Sequence, residues 1–216
     1  MRDVLIAEQL LLLCCSRGET PRDKLWHAKS RLLAIAVLAE LAALGRLRFL
    51  AGLVIAPDMH PTSSSVLTDA LAVLGRRQEL SVGRAIDAVD QSHTNLGVEL
   101  RDSMVRRGLL ERIEHRRFLR PTLHEFRPAS KALGQNVLDS LRRFAVGADV
   151  TDQRSVALFA CAERMALLPG LLDEGELALG RKALQRLEAE CAGTRAATDP
   201  VSERARLILA LTHPGS

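Results

Sequence analysis

Residues 26–49 read WHAKSRLLAIAVLAELAALGRLRF, and this stretch decides the fold class. Residues 30–44 are apolar on almost every face of a helix, but Arg31 and Glu40 interrupt them, and the run is too short to cross a bilayer. A helix that is apolar all round is enclosed by other helices. The stretch therefore predicts the central helix of a helical domain, which ends at Gly45 in the left-handed conformation.

The composition agrees with a globular, mainly α protein. The chain has 216 residues, of which 47% are hydrophobic and only 3% aromatic, so we expect one core built from Leu, Ala and Val. A core of this kind favours helices over sheets. The net charge of +4 is compatible with an anionic membrane or with nucleic acid as a partner, and it requires neither.

The rest of the sequence predicts further helices and one β-hairpin. Neither an internal repeat nor a linker interrupts the chain, so we expect a single domain over residues 1–216. The patterns predict helices at about 3–15, 66–74, 81–89, 96–107, 130–146, 151–167, 173–192 and 200–211, a short strand within 46–56, and a two-stranded hairpin over 109–126.

The four cysteines and six histidines are scattered, without the spacing of a metal site. Cys14 and Cys15 are adjacent within an apolar run, which is typical of buried, reduced thiols and predicts a cytoplasmic protein. The sequence contains no phosphate-binding glycine loop and no serine in a nucleophile elbow. We therefore expect no metal, no cofactor and no enzymatic activity.

Glu40 is the most prominent carboxylate, because the predicted central helix buries it. A buried carboxylate needs a cationic partner, which Arg46 or another arginine across the core would supply. Since structural ion pairs also perturb carboxylates, we interpret Glu40 as half of such a pair rather than as a catalytic acid.

Trp26 is the only tryptophan, and it lies near the start of the central helix beside Lys29 and Arg31. Free backbone N–H groups, the positive end of the helix dipole and these cations could hold a phosphate headgroup, with the indole at the membrane interface. Taken alone, the residues favour a simpler interpretation, in which Trp26 packs the start of the helix onto the core. Trp26, Lys29 and Arg31 are the candidates for lipid headgroup binding.

Basic and apolar residues are mixed around the predicted hairpin. Arg116, Arg117, Phe118 and Leu119 suit contact with an anionic membrane, or with a protein partner or a second copy of the chain. An ordinary solvated hairpin, with one face packed on the domain, explains the same pattern equally well.

Six segments of the chain are informative through their order and spacing. The segments are AEQLLLL (7–13), LAELAALGRLRF (38–49), PTSSSVLTDAL (61–71), LRDSMVRRGLLERIEHRRFL (100–119), RSVALFACAERMALL (154–168) and LALGRKALQRL (177–187). Taken together, they resemble the Golgi phosphoprotein 3 family. The similarity covers nearly the whole chain, and it implies a mostly α-helical domain with a central hydrophobic helix and a projecting β-hairpin.

The resemblance also implies a function. Eukaryotic members of this family bind phosphatidylinositol 4-phosphate at the Golgi and recruit glycosyltransferase tails and cytoskeletal partners. In a gap-free alignment, Trp26 falls one place beyond the family's headgroup-binding tryptophan. The family's arginine falls at Ala34, so Arg31 would act from nearly one turn away, and two further basic positions fall near Thr94 and Gly97. The arginine-rich, lysine-poor sequence suits a bacterial relative.

We therefore expect a non-enzymatic peripheral-membrane or adaptor protein of the cytoplasm that binds an anionic lipid headgroup. The alternative is a nucleic-acid-binding regulator, because helices near Ser81 and Leu96 followed by a basic hairpin resemble a winged helix-turn-helix. The second of these helices exposes Glu99 and Asp102 beside Arg101, and such carboxylates disfavour phosphate contact. Nucleic acid is therefore not the partner that we expect.

Overall fold

A computed structural model describes residues 4–16, 23–77, 79–115, 123–193 and 200–212. These residues form a mainly α fold with two small antiparallel sheets, which confirms the predicted fold class. The elements are α1 (Ile6–Ser16), α2 (Asp23–Ala43), β1 (Arg48–Leu50), β2 (Leu53–Ile55), α3 (Ser65–Gly75), β3 (Leu80–Ser81), α4 (Val82–Ser92), α5 (Leu96–Arg106), β4 (Leu110–His115), β5 (Leu123–Pro128), α6 (Lys131–Ala145), α7 (Gln153–Arg164), α8 (Glu174–Gly193) and α9 (Pro200–Thr212).

Helix α2 is the predicted central helix. Every residue from 33 to 42 is buried, whichever face of the helix it occupies. The helix contacts α1, α3, α4, α5, α7 and α9. The prediction of an enclosed apolar helix is therefore confirmed, and the core of the described fold is arranged around α2.

The end of α2 is closed by a glycine cap, as its sequence predicts. Gly45 has a φ of +71°. Its N–H donates to the carbonyl of Ala42 at 2.9 Å, and the N–H of Arg46 donates to the carbonyl of Leu41 at 2.9 Å. These two hydrogen bonds form a Schellman motif, which satisfies the last free carbonyls of the helix.

Helix α1 is buried as completely as α2. Residues 4–15 are all buried, including the polar Glu8 and Gln9. The helix contacts α2, α5, α6, α7 and β5. The sequence predicted the position of α1 within a few residues, but its apolar run did not show that a first helix lies inside the core.

The prediction of a single strand within residues 46–56 is wrong, because the chain reverses there and forms two strands. Strands β1 and β2 pair antiparallel, and β3 joins them through Val54 opposite Leu80. The reversal occurs at Ala51 and Gly52, whose φ angles are +50° and +81°. Tight hairpin turns usually carry Asn-Gly or Asp-Gly, whereas this turn carries Ala-Gly, and alanine rarely adopts a positive φ. The sequence therefore contains no clear signal of a turn here.

The hairpin predicted over residues 109–126 is confirmed. Strands β4 and β5 pair antiparallel in a register that runs from Leu110 opposite Pro128 to His115 opposite Leu123. The candidate contact residues Arg116, Arg117, Phe118 and Leu119, between these strands in the sequence, lie outside the described residues.

The Gly45 cap allows a direct test of the fold. Gly45→Ala should lower the free energy of unfolding by roughly 1–2 kcal/mol, because the left-handed backbone conformation is strained for a residue with a Cβ. It would also lie 2.6 Å from Nη2 of Arg204, which would have to move. Chemical denaturation measures the change.

Gly83→Ala is the matched control, because Gly83 lies in the first turn of α4 and a Cβ there would meet nothing within 4 Å. This substitution should stabilise the protein by about 0.4–1 kcal/mol. An equal loss for both variants would contradict the role assigned to the Gly45 cap.

Candidate functional site

The first candidate site is the start of α2, by which we mean its first three turns, residues 23–31. Among the predicted headgroup-binding residues, the structure describes the side chain of Arg31, which lies in the third turn. Arg31 is about half exposed and forms an ion pair with Asp87 of α4. The hydroxyl of Ser30 donates to the carboxylate of Asp90 at 2.6 Å. Trp26 and Lys29 lie in the first two turns of α2, but their side chains lie outside the described part of the chain.

The two carboxylates of α4 reduce the positive charge at this end of α2. Sequence reasoning missed Asp87 and Asp90, since nothing in the chain order indicates that α4 faces Arg31. The ion pair between Arg31 and Asp87 is half exposed, and pairs of this kind contribute only about 0–1 kcal/mol. Arg31 can therefore exchange Asp87 for another anion at low cost.

The three positions at or near which the sequence resemblance implied ligand-binding residues differ in their surroundings. Ala34 is completely buried in the core, so this position presents no polar group to a ligand. Thr94 is exposed and Gly97 is buried. None of the three carries a charge, which leaves Arg31 as the described cation at the start of α2.

His93 is a polar residue of this region that sequence reasoning treated only as one of several scattered histidines. It follows α4 directly, and its side chain is only 5% exposed. Its Nδ1 lies 2.6 Å from Oε2 of Glu99, in the first turns of α5. Its Nε2 is buried and has no hydrogen-bond partner among the described atoms. The pairing with Glu99 fixes the orientation of the imidazole ring between α4 and α5.

Glu40 has the partner that its burial requires. Its Oε2 accepts a hydrogen bond from Nη2 of Arg154 at 3.0 Å and another from the N–H of Ile6 at 2.8 Å. Burial raises the pKa of Glu40 above its usual range, and the charge of Arg154 opposes that rise. The prediction of an arginine across the core is confirmed with Arg154, whereas Arg46 pairs with Asp58 instead.

Glu8 makes a second buried contact of the same kind. Its Oε1 accepts from Nη1 of Arg107 at 2.6 Å, and its Oε2 accepts from the N–H of Leu5 at 3.0 Å. Arg154 also donates to the carbonyl of Val4 at 2.7 Å. Glu8 and Glu40 therefore each accept a hydrogen bond from an arginine and another from a backbone N–H. These bonds position α1 against its neighbours, and they leave neither carboxylate free to act as a catalytic acid.

The described base of the β4–β5 hairpin carries cations beside carboxylates. Arg112 lies 3.4 Å from Glu114, and Arg127 lies 2.5 Å from Glu125. The buried ring of Phe126 packs under the guanidinium of Arg101 at 4.5 Å. One face of the hairpin therefore packs on the helical core, as one of the two interpretations of its sequence expected.

The fold and these contacts can be compared with known proteins. The family model of Golgi phosphoprotein 3 (GPP34) matches residues 6–209, which is nearly the whole chain. The chain belongs to the Golgi phosphoprotein 3 family. No curated protein matches the chain.

In this Golgi phosphoprotein 3 family member, none of the described helices is both long and apolar enough to span a membrane. No group of three or more His, Cys, Asp or Glu residues within the described ranges could hold a metal ion. Burial raises the pKa of the Cys15 and Cys161 thiols to about 12. These two thiols are therefore neutral near pH 7.

The buried pair of Glu40 and Arg154 makes a prediction about stability. Arg154→Met should lower the free energy of unfolding by about 3 kcal/mol at pH 8, because it leaves a buried carboxylate without its cation. The pKa of Glu40 is raised in the folded state, so ionisation of Glu40 at high pH lowers the free energy of unfolding. Protonation of Glu40 at lower pH restores this free energy. The loss in the variant should therefore be smaller at pH 5 than at pH 8.

Arg181→Met is the control, because it breaks a half-exposed pair in which Nε of Arg181 lies 2.7 Å from Oε1 of Glu163. It should cost less than about 1 kcal/mol, with little dependence on pH. Denaturation curves at both pH values measure the two variants, and a loss for Arg154→Met that grows toward pH 5 would contradict this account of Glu40.

Proposed function

We propose that this Golgi phosphoprotein 3 family member is a non-enzymatic adaptor that binds the anionic headgroups of membrane lipids at the start of α2. Arg31 carries the proposal, because it is half exposed and its partner Asp87 is also at the surface. Trp26 and Lys29 lie in the preceding turns of the same helix. The family match over residues 6–209 supports an adaptor of this type.

The magnitudes favour a weak, charge-dependent interaction. A basic residue near an anionic membrane surface contributes about 1 kcal/mol, which is comparable to or larger than the value of an exposed ion pair. Exchange of Asp87 for a lipid phosphate therefore costs little. Because Ala34, Thr94 and Gly97 are uncharged, we expect this protein to respond to the surface charge of the membrane more than to one particular phosphoinositide.

The location and partners follow from this proposal. A protein that binds anionic headgroups in the cytoplasm would be peripheral at a membrane and released by salt. The segment between β4 and β5 in the sequence, with Arg116, Arg117, Phe118 and Leu119, remains our predicted contact with the membrane, a protein partner or a second copy.

Nucleic-acid binding is the alternative function, since α4, α5 and the β4–β5 hairpin follow one another as in a winged helix. Helix α5 buries Leu96, Leu100 and Met104 against the core. Its exposed residues include Glu99 and Asp102, which would face phosphates in such a complex. The contacts of α5 thus favour the lipid proposal.

Removal of the competing carboxylate tests the lipid proposal. Asp87→Asn should increase binding to vesicles that contain phosphatidylserine or phosphatidylinositol phosphate by roughly fivefold, because it frees a charge worth ~1 kcal/mol. Arg31→Gln should decrease binding by a similar factor. Sedimentation with vesicles at two salt concentrations measures both changes, and neutral phosphatidylcholine vesicles should bind none of the variants.

The controls carry the same changes of charge at exposed residues elsewhere. Asp69→Asn on α3 matches Asp87→Asn, and Arg186→Gln on α8 matches Arg31→Gln. The lipid proposal fails if the paired variants and their controls change binding equally. Salt-sensitive binding of a DNA or RNA duplex, without binding to vesicles, would favour the alternative.

A further inference from the structure

A groove of about 690 Å³ lies between strand β5 and helix α6, and it shares no residue with the start of α2. Its size falls in the range of small-molecule binding sites. One wall is β5, the other is α6, and the end of α1 forms the floor. The lining residues are Leu13, Cys15, Ser16, Glu125, Phe126, Arg127, Pro128, Lys131, Gly134, Gln135, Leu138 and Leu171.

The α6 wall is one continuous face of the helix. Lys131, Gly134, Gln135 and Leu138 are spaced i, i+3, i+4 and i+7, so they follow one another along about 10 Å of helix. Gly134 keeps this wall close to α1, because a Cβ at that position would lie 2.5 Å from Oγ of Ser16. The α6 wall of the groove therefore follows the helix axis.

The floor of the groove is apolar. Leu13 is 1% exposed, Phe126 is 6% exposed, and Cys15, near the end of α1, is also buried. Burial keeps the Cys15 thiol neutral, so it behaves as a small apolar group. Leu138 and Leu171 are partly buried and continue this surface. An aliphatic chain would meet apolar atoms along the length of the groove.

The two ends of the groove differ in charge. Strand β5 ends at Pro128 and α6 begins at Lys131, so Lys131 and Arg127 lie together at this junction. Lys131 is exposed and has no acidic partner within the described ranges, while Arg127 is paired with Glu125. Leu138 lies two turns farther along α6. The groove is thus cationic at the junction and apolar at its far end.

We propose that this groove binds a single-chain anionic amphiphile, such as a fatty acid or a lysophospholipid. The anionic head lies beside Lys131 and Arg127, and the aliphatic chain runs over Phe126 and Leu13 toward Leu138. We favour an amphiphile over an added peptide strand, because the groove combines cationic residues at one end with apolar side chains along its floor. This site is independent of the proposed headgroup site at the start of α2.

Calorimetric titration of the full chain tests the proposal, with dodecanoate below its micellar concentration, dodecanol below its solubility limit, and acetate. We expect one dodecanoate per chain, binding of dodecanol that is weaker by tenfold or more, and no binding of acetate. Lys131→Gln should weaken dodecanoate binding by about fivefold and leave dodecanol binding unchanged. Lys182→Gln on α8, an exposed lysine outside the groove, is the matched control and should change neither.

Two further variants test the path of the chain. Leu138→Ser should weaken the binding of dodecanoate and dodecanol together, and Gln135→Trp should block both by filling the groove from an exposed position. Thermal unfolding shows whether each variant is folded. The proposal is overturned if wild-type protein binds no dodecanoate, if dodecanol binds equally well, or if Lys131→Gln and Gln135→Trp have no effect.

Arg31→Gln separates this site from the headgroup site. It should leave dodecanoate binding unchanged, because Arg31 does not line the groove. If vesicle binding fails while dodecanoate binding persists, the headgroup proposal alone is wrong. If dodecanoate binding is lost in Arg31→Gln but retained in Lys131→Gln, the ligand binds at the start of α2 and the groove proposal is wrong.

Discussion

The carboxylate of Glu40 is buried in a mostly apolar core, and the arrangement of three helices depends on how it is neutralised. Its hydrogen bonds to Arg154 and to the N–H of Ile6 join α2 to α7 and to the start of α1. A buried charge with too few donors costs several kcal/mol, so each of these helices must keep its position along the others. Glu8 and Arg107 add a similar link between α1 and the end of α5.

Ionic contacts in this protein therefore serve two different purposes. The buried contacts of Glu8 and Glu40 hold a first helix that is enclosed on all sides, and they cannot be exchanged without disturbing the core. The contact between Arg31 and Asp87 is half exposed and contributes little to stability, so its cation can take another anion. A surface that binds lipid weakly and reversibly needs contacts of the second kind.

Membership of the Golgi phosphoprotein 3 family fixes the fold more firmly than the ligand. Ala34 is buried, and Thr94 and Gly97 are uncharged, so none of these three positions offers a cation to a headgroup. The start of α2 nevertheless keeps a surface cation, and His93 adds a buried imidazole between α4 and α5. The groove beside β5 provides cationic and apolar surface at a separate place, which would suit an amphiphile rather than a headgroup alone.

The sequence by itself determined the features that depend on near neighbours along the chain. These are the enclosed helix around residues 33–42, the glycine cap at Gly45, the order of the helices and the β4–β5 hairpin, since periodicity and capping act within a few residues. Only the tertiary structure decided which arginine neutralises Glu40, because Arg154 lies 114 positions away. It likewise placed Asp87 against Arg31 and turned the chain at Ala51. Contacts between residues far apart in the sequence depend on how whole helices pack, so no local sequence pattern predicts them.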